Sequence, residues 1–218
     1  MERTIRVRGS AKASATPDYI IITMTLEATE REYDKAVGKA SAMLDAAEQA
    51  VVECGFAKDD LKTTRYNVSA QYRSVRTQDG TYREEFSGYC VSHSLLLGFD
   101  FSSPRLSAVL SSIAFGIAEP RLNVRFTVKD TDALSSALLS ATAKNAREKA
   151  RILADASGVK LGELLSVEYG AAEHDFSSRA EFALEERCMM KADCAPRNFT
   201  PEDIELSDSA TFVFAIKD

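Results

Sequence analysis

The chain has 218 residues and a formal net charge of −6, from 33 acidic and 27 basic side chains. Its hydrophobic content of 45 % and charged content of 28 % are those of an ordinary globular protein. Because proteins that neutralise many phosphates usually carry a basic excess, we expect no nucleic-acid partner. No apolar run approaches the roughly 18 residues that cross a bilayer, so we expect no membrane insertion.

The first third of the chain changes from strand to helix periodicity. An N-terminal strand alternates apolar and polar residues up to Pro17, and a second strand at 18–29 has one apolar face. No apolar signal segment precedes them, so we expect a cytoplasmic protein, or an extracytoplasmic one if a signal was removed. A helix at 32–54 follows, and Gly55 is placed to end it. Its apolar stripe comprises Tyr33, Ala36, Ala40, Met43, Ala47, Val51 and Cys54.

The middle of the chain predicts a hairpin and a short helix. Strands at about 65–75 and 82–99 flank the turn dipeptide Asp79-Gly80, which favours antiparallel pairing. Ser103 and Pro104 then provide a helix N-cap and a proline at the first helical position. We expect this helix to end near Gly116.

The second half repeats the plan of the first. It predicts a strand at 121–128, a helix at 131–157 capped by Asp130 or Thr131, and strands at 163–169 and 203–217. The small residues on the helix stripe favour a close approach to the sheet. The predicted stripe is Leu139, Ala143, Ala146, Ala150 and Leu153.

These elements predict an α+β fold, with long amphipathic helices packed on mostly antiparallel sheet. We expect a single domain, 1–218, built from two pseudo-repeated β-α-β-β modules at 1–100 and 101–218. An irregular insertion at about 171–200 has no clear period, and residues 178–187 within it are predicted to form a short helix. The pattern allows either one continuous sheet or two lobes.

Five segments carry recognisable features in a fixed order. They are an opening strand with Gly and Pro-Asp (IRVRGSAKASATPDYI), a helix end and aromatic-ended strand (ECGFAKDDLKTTRYNVSAQY), a Gly-Tyr strand (FSGYCVSHSLLL), an alanine-rich helix (ATAKNAREKARILADASGVKLGELLSV) and a closing strand (PEDIELSDSATFVFAI). Together they resemble the SIMPL-domain family, which has many bacterial members. The resemblance covers nearly the whole chain apart from 171–200. Pro201-Glu202 departs from the family's usual turn before the last strand.

The resemblance implies an α+β fold, self-association as in some members, links to stress tolerance and a kinase-adaptor namesake. It implies no agreed enzymatic activity, so it transfers no catalytic residue to this chain.

Nucleophilic catalysis needs a nucleophile, a base and an orienting group in contact. The chain has two histidines, His93 and His174. His93 is predicted in mid-strand, where hydrogen bonding within the sheet is favoured over a role as a base. Cys54 is expected to be a small core residue, and Cys90 lies on the strand face opposite Val91. We therefore predict no catalytic residue.

A metal site in the insertion is the alternative, because His, Cys and Met suit zinc or copper(I). Its candidate ligands are His174, Cys188, Met189, Met190 and Cys194. The spacing of the two cysteines does not match a zinc motif, so loop thiols or a disulfide are favoured over a ligand set. We accordingly predict no metal ligand and no cofactor.

Because the sequence contains no catalytic motif, we predict the function from the architecture. We expect a non-enzymatic, self-associating binding or scaffold module, a homo-oligomer that also accepts a protein partner. The alternative is a small-molecule or metal-binding protein with its site at 171–200. An aromatic set at the first hairpin is interpreted as cross-strand packing in preference to a ligand or subunit surface. It comprises Tyr66, Tyr72, Tyr82, Phe86 and Tyr89.

Overall fold

A computed structural model describes residues 3–76, 80–117, 120–170, 174–178, 182–184 and 199–217. The strands are β1 (Thr4–Ala15), β2 (Tyr19–Glu30), β3 (Leu61–Arg76), β4 (Tyr82–Asp100), β5 (Arg121–Thr127), β6 (Lys160–Glu168), β7 (Phe182–Leu184) and β8 (Ile204–Lys217). The helices are α1 (Tyr33–Glu53), α2 (Ser103–Gly116) and α3 (Thr131–Ala156). The predicted α+β class is confirmed, and most predicted element bounds lie within about three residues of these.

The strands form two sheets, with orders β1-β8-β6 and β3-β4-β2-β5-β7. The chain divides into two compact units. The first unit takes the described residues of Met1–Pro17, Thr127–Arg179 and Glu202–Asp218, and the second takes those of Asp18–Phe126 and Ala180–Pro201. The pseudo-repeat of 1–100 and 101–218 stays a prediction.

The first unit packs α3 on the three-stranded sheet. β8 lies between β1 and β6 and pairs antiparallel with both. Small residues on α3 meet aromatic residues of β8 in a core that includes Ala146, Ala150, Phe212 and Phe214. Removing this apolar surface from water is the main force that holds helix and sheet together.

The second unit buries one face of the five-stranded sheet under α1 and α2. Its core draws on β2, β4, β5 and both helices, with Ile22, Val51, Leu97, Ile113 and Phe126 all at most 1 % exposed. β4 pairs antiparallel with β2 on one side and β3 on the other. The long strands thus carry apolar residues on the helix face and mixed residues on the other.

The helix ends follow the predicted chemistry, with one shift of position. Gly55 and Gly158 have φ of +82° and +69° directly after α1 and α3, where a left-handed residue ends a helix. Asp130 caps α3, since its Oδ1 accepts a hydrogen bond from the Ala133 amide at 2.8 Å. The α2 cap is Ser102 and not Ser103, because the Oγ of Ser102 accepts from the Arg105 amide.

Two predictions in the second half were wrong in detail. The buried stripe of α3 is Leu138, Thr142, Ala146, Ala150 and Ala154, whereas Leu139 and Leu153 are 38 % and 49 % exposed. A row of mostly small residues at intervals of four lets α3 lie closer to the sheet than a leucine row would. Residues 182–184, inside the predicted helix at 178–187, form β7, and 179–181 and 185–187 lie outside the described residues.

Candidate functional site

His93 lies on the buried face of β4 and is 6 % exposed. Its Nε2 is 2.9 Å from the Thr63 hydroxyl, and the Tyr66 ring meets the imidazole edge-on at a centroid distance of 5.1 Å. Burial lowers the pKa of His93 from its ordinary value of 6.5, because the charged imidazolium is poorly solvated there. The geometry is that of a histidine satisfied within its sheet, as the favoured interpretation held.

A polar cluster in the first unit centres on Asp208, which is 6 % exposed on β8. The Tyr169 hydroxyl donates to its Oδ2 at 3.0 Å, and the Ser209 amide donates to its Oδ1 at 2.7 Å. His174 brings its Nε2 to 3.7 Å from the same Oδ2, and its ring lies edge-on to Phe176. The carboxylate thus accepts two hydrogen bonds, which is how a buried acid is tolerated.

The cluster changes the pKa of Tyr169. The hydrogen bond to Asp208 raises the pKa of Tyr169 above 10.0, and desolvation and the charge of Asp208 act in the same direction. The phenol therefore keeps its proton, and it serves as a donor and not as a base. These contacts join the end of β6, β8 and the segment around His174, so the cluster acts as a clasp between them.

Of the predicted metal ligands, only His174 lies within the described residues. His174 pairs with Asp208, while Cys188, Met189, Met190 and Cys194 lie outside the described residues. Within the described ranges, no group of three or more His, Cys, Asp or Glu residues could hold a metal ion. The alternative function, a site at 171–200, stays a prediction.

Cys54 and Cys90 are both free thiols of intermediate burial. Cys54 packs against the core of the second unit, as expected for a small core residue.

The aromatic set at the β3–β4 hairpin forms a chain of edge-on contacts. Ring centroids are 5.9 Å apart for Tyr72 and Phe86, 5.2 Å for Phe86 and Tyr89, and 5.5 Å for Tyr89 and Tyr33. These distances suit quadrupolar aromatic pairs, so the rings do pack across the strands. Tyr72 and Tyr82 nevertheless remain 60 % and 72 % exposed.

The free edge of β1 is partly covered by side chains of α3. The Lys149 ammonium donates to the Arg8 carbonyl at 3.1 Å, and the Asn145 side-chain oxygen accepts from the Ser10 amide at 3.1 Å. Both backbone groups point away from β8, toward the position that another strand would occupy. Helix side chains therefore satisfy two of the backbone groups, in the middle of β1, through which a second chain would pair.

The edges at β3 and β6 differ from each other in charge. The charged residues of β3 are all basic, namely Lys62, Arg65, Arg73 and Arg76. On β6, Lys160 is accompanied by Glu163 and Glu168, and three apolar side chains are about half exposed: Leu164 at 48 %, Leu165 at 44 % and Val167 at 45 %. A basic edge repels a copy of itself, whereas an apolar edge of mixed charge does not.

Comparison with known families identifies the family of this chain. The model of the family described as SIMPL, protein of unknown function (DUF541), matches residues 5–214. The chain belongs to the SIMPL family. No curated protein matches it. This match confirms the resemblance over almost the full length of the chain. Because the function of the SIMPL family is unknown, membership assigns no reaction to the chain. None of the described helices is long and apolar enough to cross a membrane.

The pairing of Asp208 with Tyr169 was not predicted from the sequence. One signal was present: Asp208 interrupts the apolar face that Leu206, Ala210 and Phe212 share on β8. A charged residue at a core-facing position of a strand indicates a buried polar partner.

Proposed function

We propose that this SIMPL protein is a non-enzymatic, self-associating binding or scaffold module, and that two copies join through β6. The observation that supports this proposal is the row of half-exposed Leu164, Leu165 and Val167 on an edge strand. Apolar residues on an unpaired edge favour association with another strand. The cytoplasmic location and the link to stress tolerance stay predictions.

Antiparallel self-pairing of β6 centred on Leu164 is chemically complementary. In that register Leu164 faces its own copy, Leu161 faces Val167, and Lys160 faces Glu168. Such cross-strand apolar and opposite-charge pairs each contribute roughly 0.2–1 kcal/mol. The same arrangement of β3, centred on Ser69, would place Lys62 opposite Arg76 and Arg65 opposite Arg73. These like charges would repel each other, so β3 is a poorer self-pairing edge than β6.

The backbone of β6 limits how the copies join. Its register with β8 is irregular between Leu161 and Leu164 and again between Leu164 and Ser166. Bulges of this kind interrupt a hydrogen-bond ladder. We therefore assign most of the association to side-chain packing at Leu164, Leu165 and Val167, with a two-fold axis relating the copies.

Charge exchange tests the register. Lys160→Glu and Glu168→Lys are each expected to weaken self-association, since each opposes like charges at both ends of the interface. An equimolar mixture of the two variants should associate again, because every opposed pair then has opposite charge. Light scattering measures all three samples against the 23.9 kDa monomer.

Leu164→Lys is the complementary test, with Ile152→Lys as its control. Ile152 lies on α3 and is 57 % exposed, so the control places the same charge on an apolar surface site of the same unit. Only Leu164→Lys should produce monomers. A wild-type chain that stays at 23.9 kDa at high micromolar concentration would overturn the proposal, as would dissociation by both variants.

A further inference from the structure

A polar cleft of about 570 Å³ opens on the first unit, beside the strands β1 and β8. The side chains that define it, here called the basic cleft, are Arg8, Ser10, Lys12, Lys149, Ser207 and Ser209. Its volume falls in the range of roughly 300–1,000 Å³ that is usual for small-molecule sites.

The strand register places five of these side chains on one face. Ser10 pairs with Ser209 and Lys12 pairs with Ser207, so these four side chains form two cross-strand pairs on the same side of the sheet. Arg8 follows on that face, and its guanidinium donates to the Ser209 hydroxyl at 2.7 Å. The arrangement places an arginine, a lysine and three hydroxyl groups on one face of two paired strands.

The charge of the basic cleft opposes that of the protein as a whole. Arg8, Lys12 and Lys149 contribute three cations, on a chain whose net charge is −6. Asp208 is the acidic residue of the lining, and its carboxylate accepts from Tyr169 and from the Ser209 amide. The cleft is therefore locally positive and rich in donors, which suits an oxyanion.

A neighbouring cleft shows the contrast. Lys144, Arg147, Arg151 and Lys160 line it together with Glu148 and Asp155. Arg151 donates to Glu148 at 3.1 Å, so carboxylates already neutralise part of its positive charge. Its four cations and two carboxylates have the same formal charge of +2 as the three cations and Asp208 of the basic cleft, and the serine hydroxyls are what distinguish the basic cleft.

We propose that the basic cleft binds the phosphate monoester of a small molecule. Arg8 and Lys12 contact the phosphoryl oxygens, and the hydroxyls of Ser10, Ser207 and Ser209 donate the remaining hydrogen bonds. A phosphate ion alone would leave most of the cleft to water, so its remaining space takes the organic part of the ligand. This site does not depend on the β6 edge, so the test of phosphate binding and the test of self-association can fail independently.

Calorimetric titration with glycerol 3-phosphate, inorganic phosphate and glycerol tests the site. Glycerol 3-phosphate should bind saturably and more tightly than inorganic phosphate, and glycerol should not bind. Its affinity should fall between pH 8 and pH 5, because the second pKa of a phosphate monoester is about 6. Equal affinity for inorganic phosphate would overturn the ester assignment, and the absence of saturable binding would overturn the site.

Variants locate the binding. Lys12→Gln is expected to weaken glycerol 3-phosphate binding by about tenfold or more, the loss of one charge-assisted contact. Lys144→Gln removes the same charge from the neighbouring cleft, and it should leave the affinity unchanged. Thermal unfolding of both variants checks that each is folded. If Lys12→Gln binds like the wild type, or if both variants lose affinity equally, the basic cleft is not the site.

Discussion

The Cα of Gly9 lies so close to α3 that a methyl group placed on it would come within 2.7 Å of the Cβ of Ala146. The same methyl group would also collide with the Thr142 carbonyl. Real Cβ atoms do not approach this closely, so glycine on β1 and alanine on α3 are required together. This contact sets the distance between the helix and the three-stranded sheet.

Gly9→Ala should lower the free energy of unfolding by about 1–3 kcal/mol, the usual cost of overpacking a closely packed core. Gly38→Ala is the matched control, because Gly38 lies in α1 with nothing within 4 Å of the added methyl group. That control should raise stability by up to about 1 kcal/mol through helix propensity. Urea unfolding measures both, and a neutral Gly9→Ala would contradict the close packing.

Tyr169→Phe should destabilise the protein at neutral pH, because it removes the hydroxyl that donates to the buried Asp208 carboxylate. Since the pKa of Tyr169 is raised above 10.0, the folded state holds the phenolic proton more tightly than the unfolded chain does. The difference in stability from wild type is fully present below pH 10 and should shrink as the pH rises further. A difference that stays constant up to pH 12 would show that Tyr169 does not titrate as described.

His93 should titrate below its ordinary pKa of 6.5, since burial disfavours the imidazolium. Stability linked to His93 is present above pH 6.5 and is lost as the pH falls through the lower pKa of the folded state. Nuclear magnetic resonance of the imidazole protons measures it, and His174→Gln assigns the two histidine signals. The unfolding free energy of His93→Gln should vary less between pH 7 and pH 5 than that of wild type. A folded-state pKa at or above 6.5 would refute this.

Lys149→Met combined with Asn145→Ala should expose the edge of β1, because both side chains satisfy outward-pointing backbone groups. We expect a loss of roughly 1 kcal/mol per hydrogen bond and a greater tendency to aggregate on mild heating, followed by light scattering. Lys144→Met is the control, since it removes the same charge from α3. Aggregation of the control to the same extent would assign the effect to charge and not to the edge.

Much of the local structure followed from periodicity. The change from a period of two to a helical period located β2 and α1, and the glycines after α1 and α3 marked their ends. These features depend on neighbours in the chain, so a single sequence carries them. The apolar face of β8 was also readable, and Asp208 within it indicates a buried polar partner without identifying Tyr169.

The finer packing depended on residues distant in the chain. Leu139 and Leu153 looked like core residues of α3, but the helix turned its alanine row toward Gly9 and left both leucines exposed. The cluster of Tyr169, His174 and Asp208 joins residues up to 39 positions apart, and no local pattern predicts such contacts.

The sequence by itself determined the element types, their order, the α+β class and the family of this protein, because these depend on periodicity and on local backbone preference. Only the tertiary structure decided which face of α3 is buried, which sheet edge is partly covered by Lys149 and Asn145, and which edge keeps Leu164 exposed. Those choices result from steric fit and strand register between distant segments, where one close contact such as that of Gly9 with Ala146 outweighs the hydrophobicity of an individual leucine.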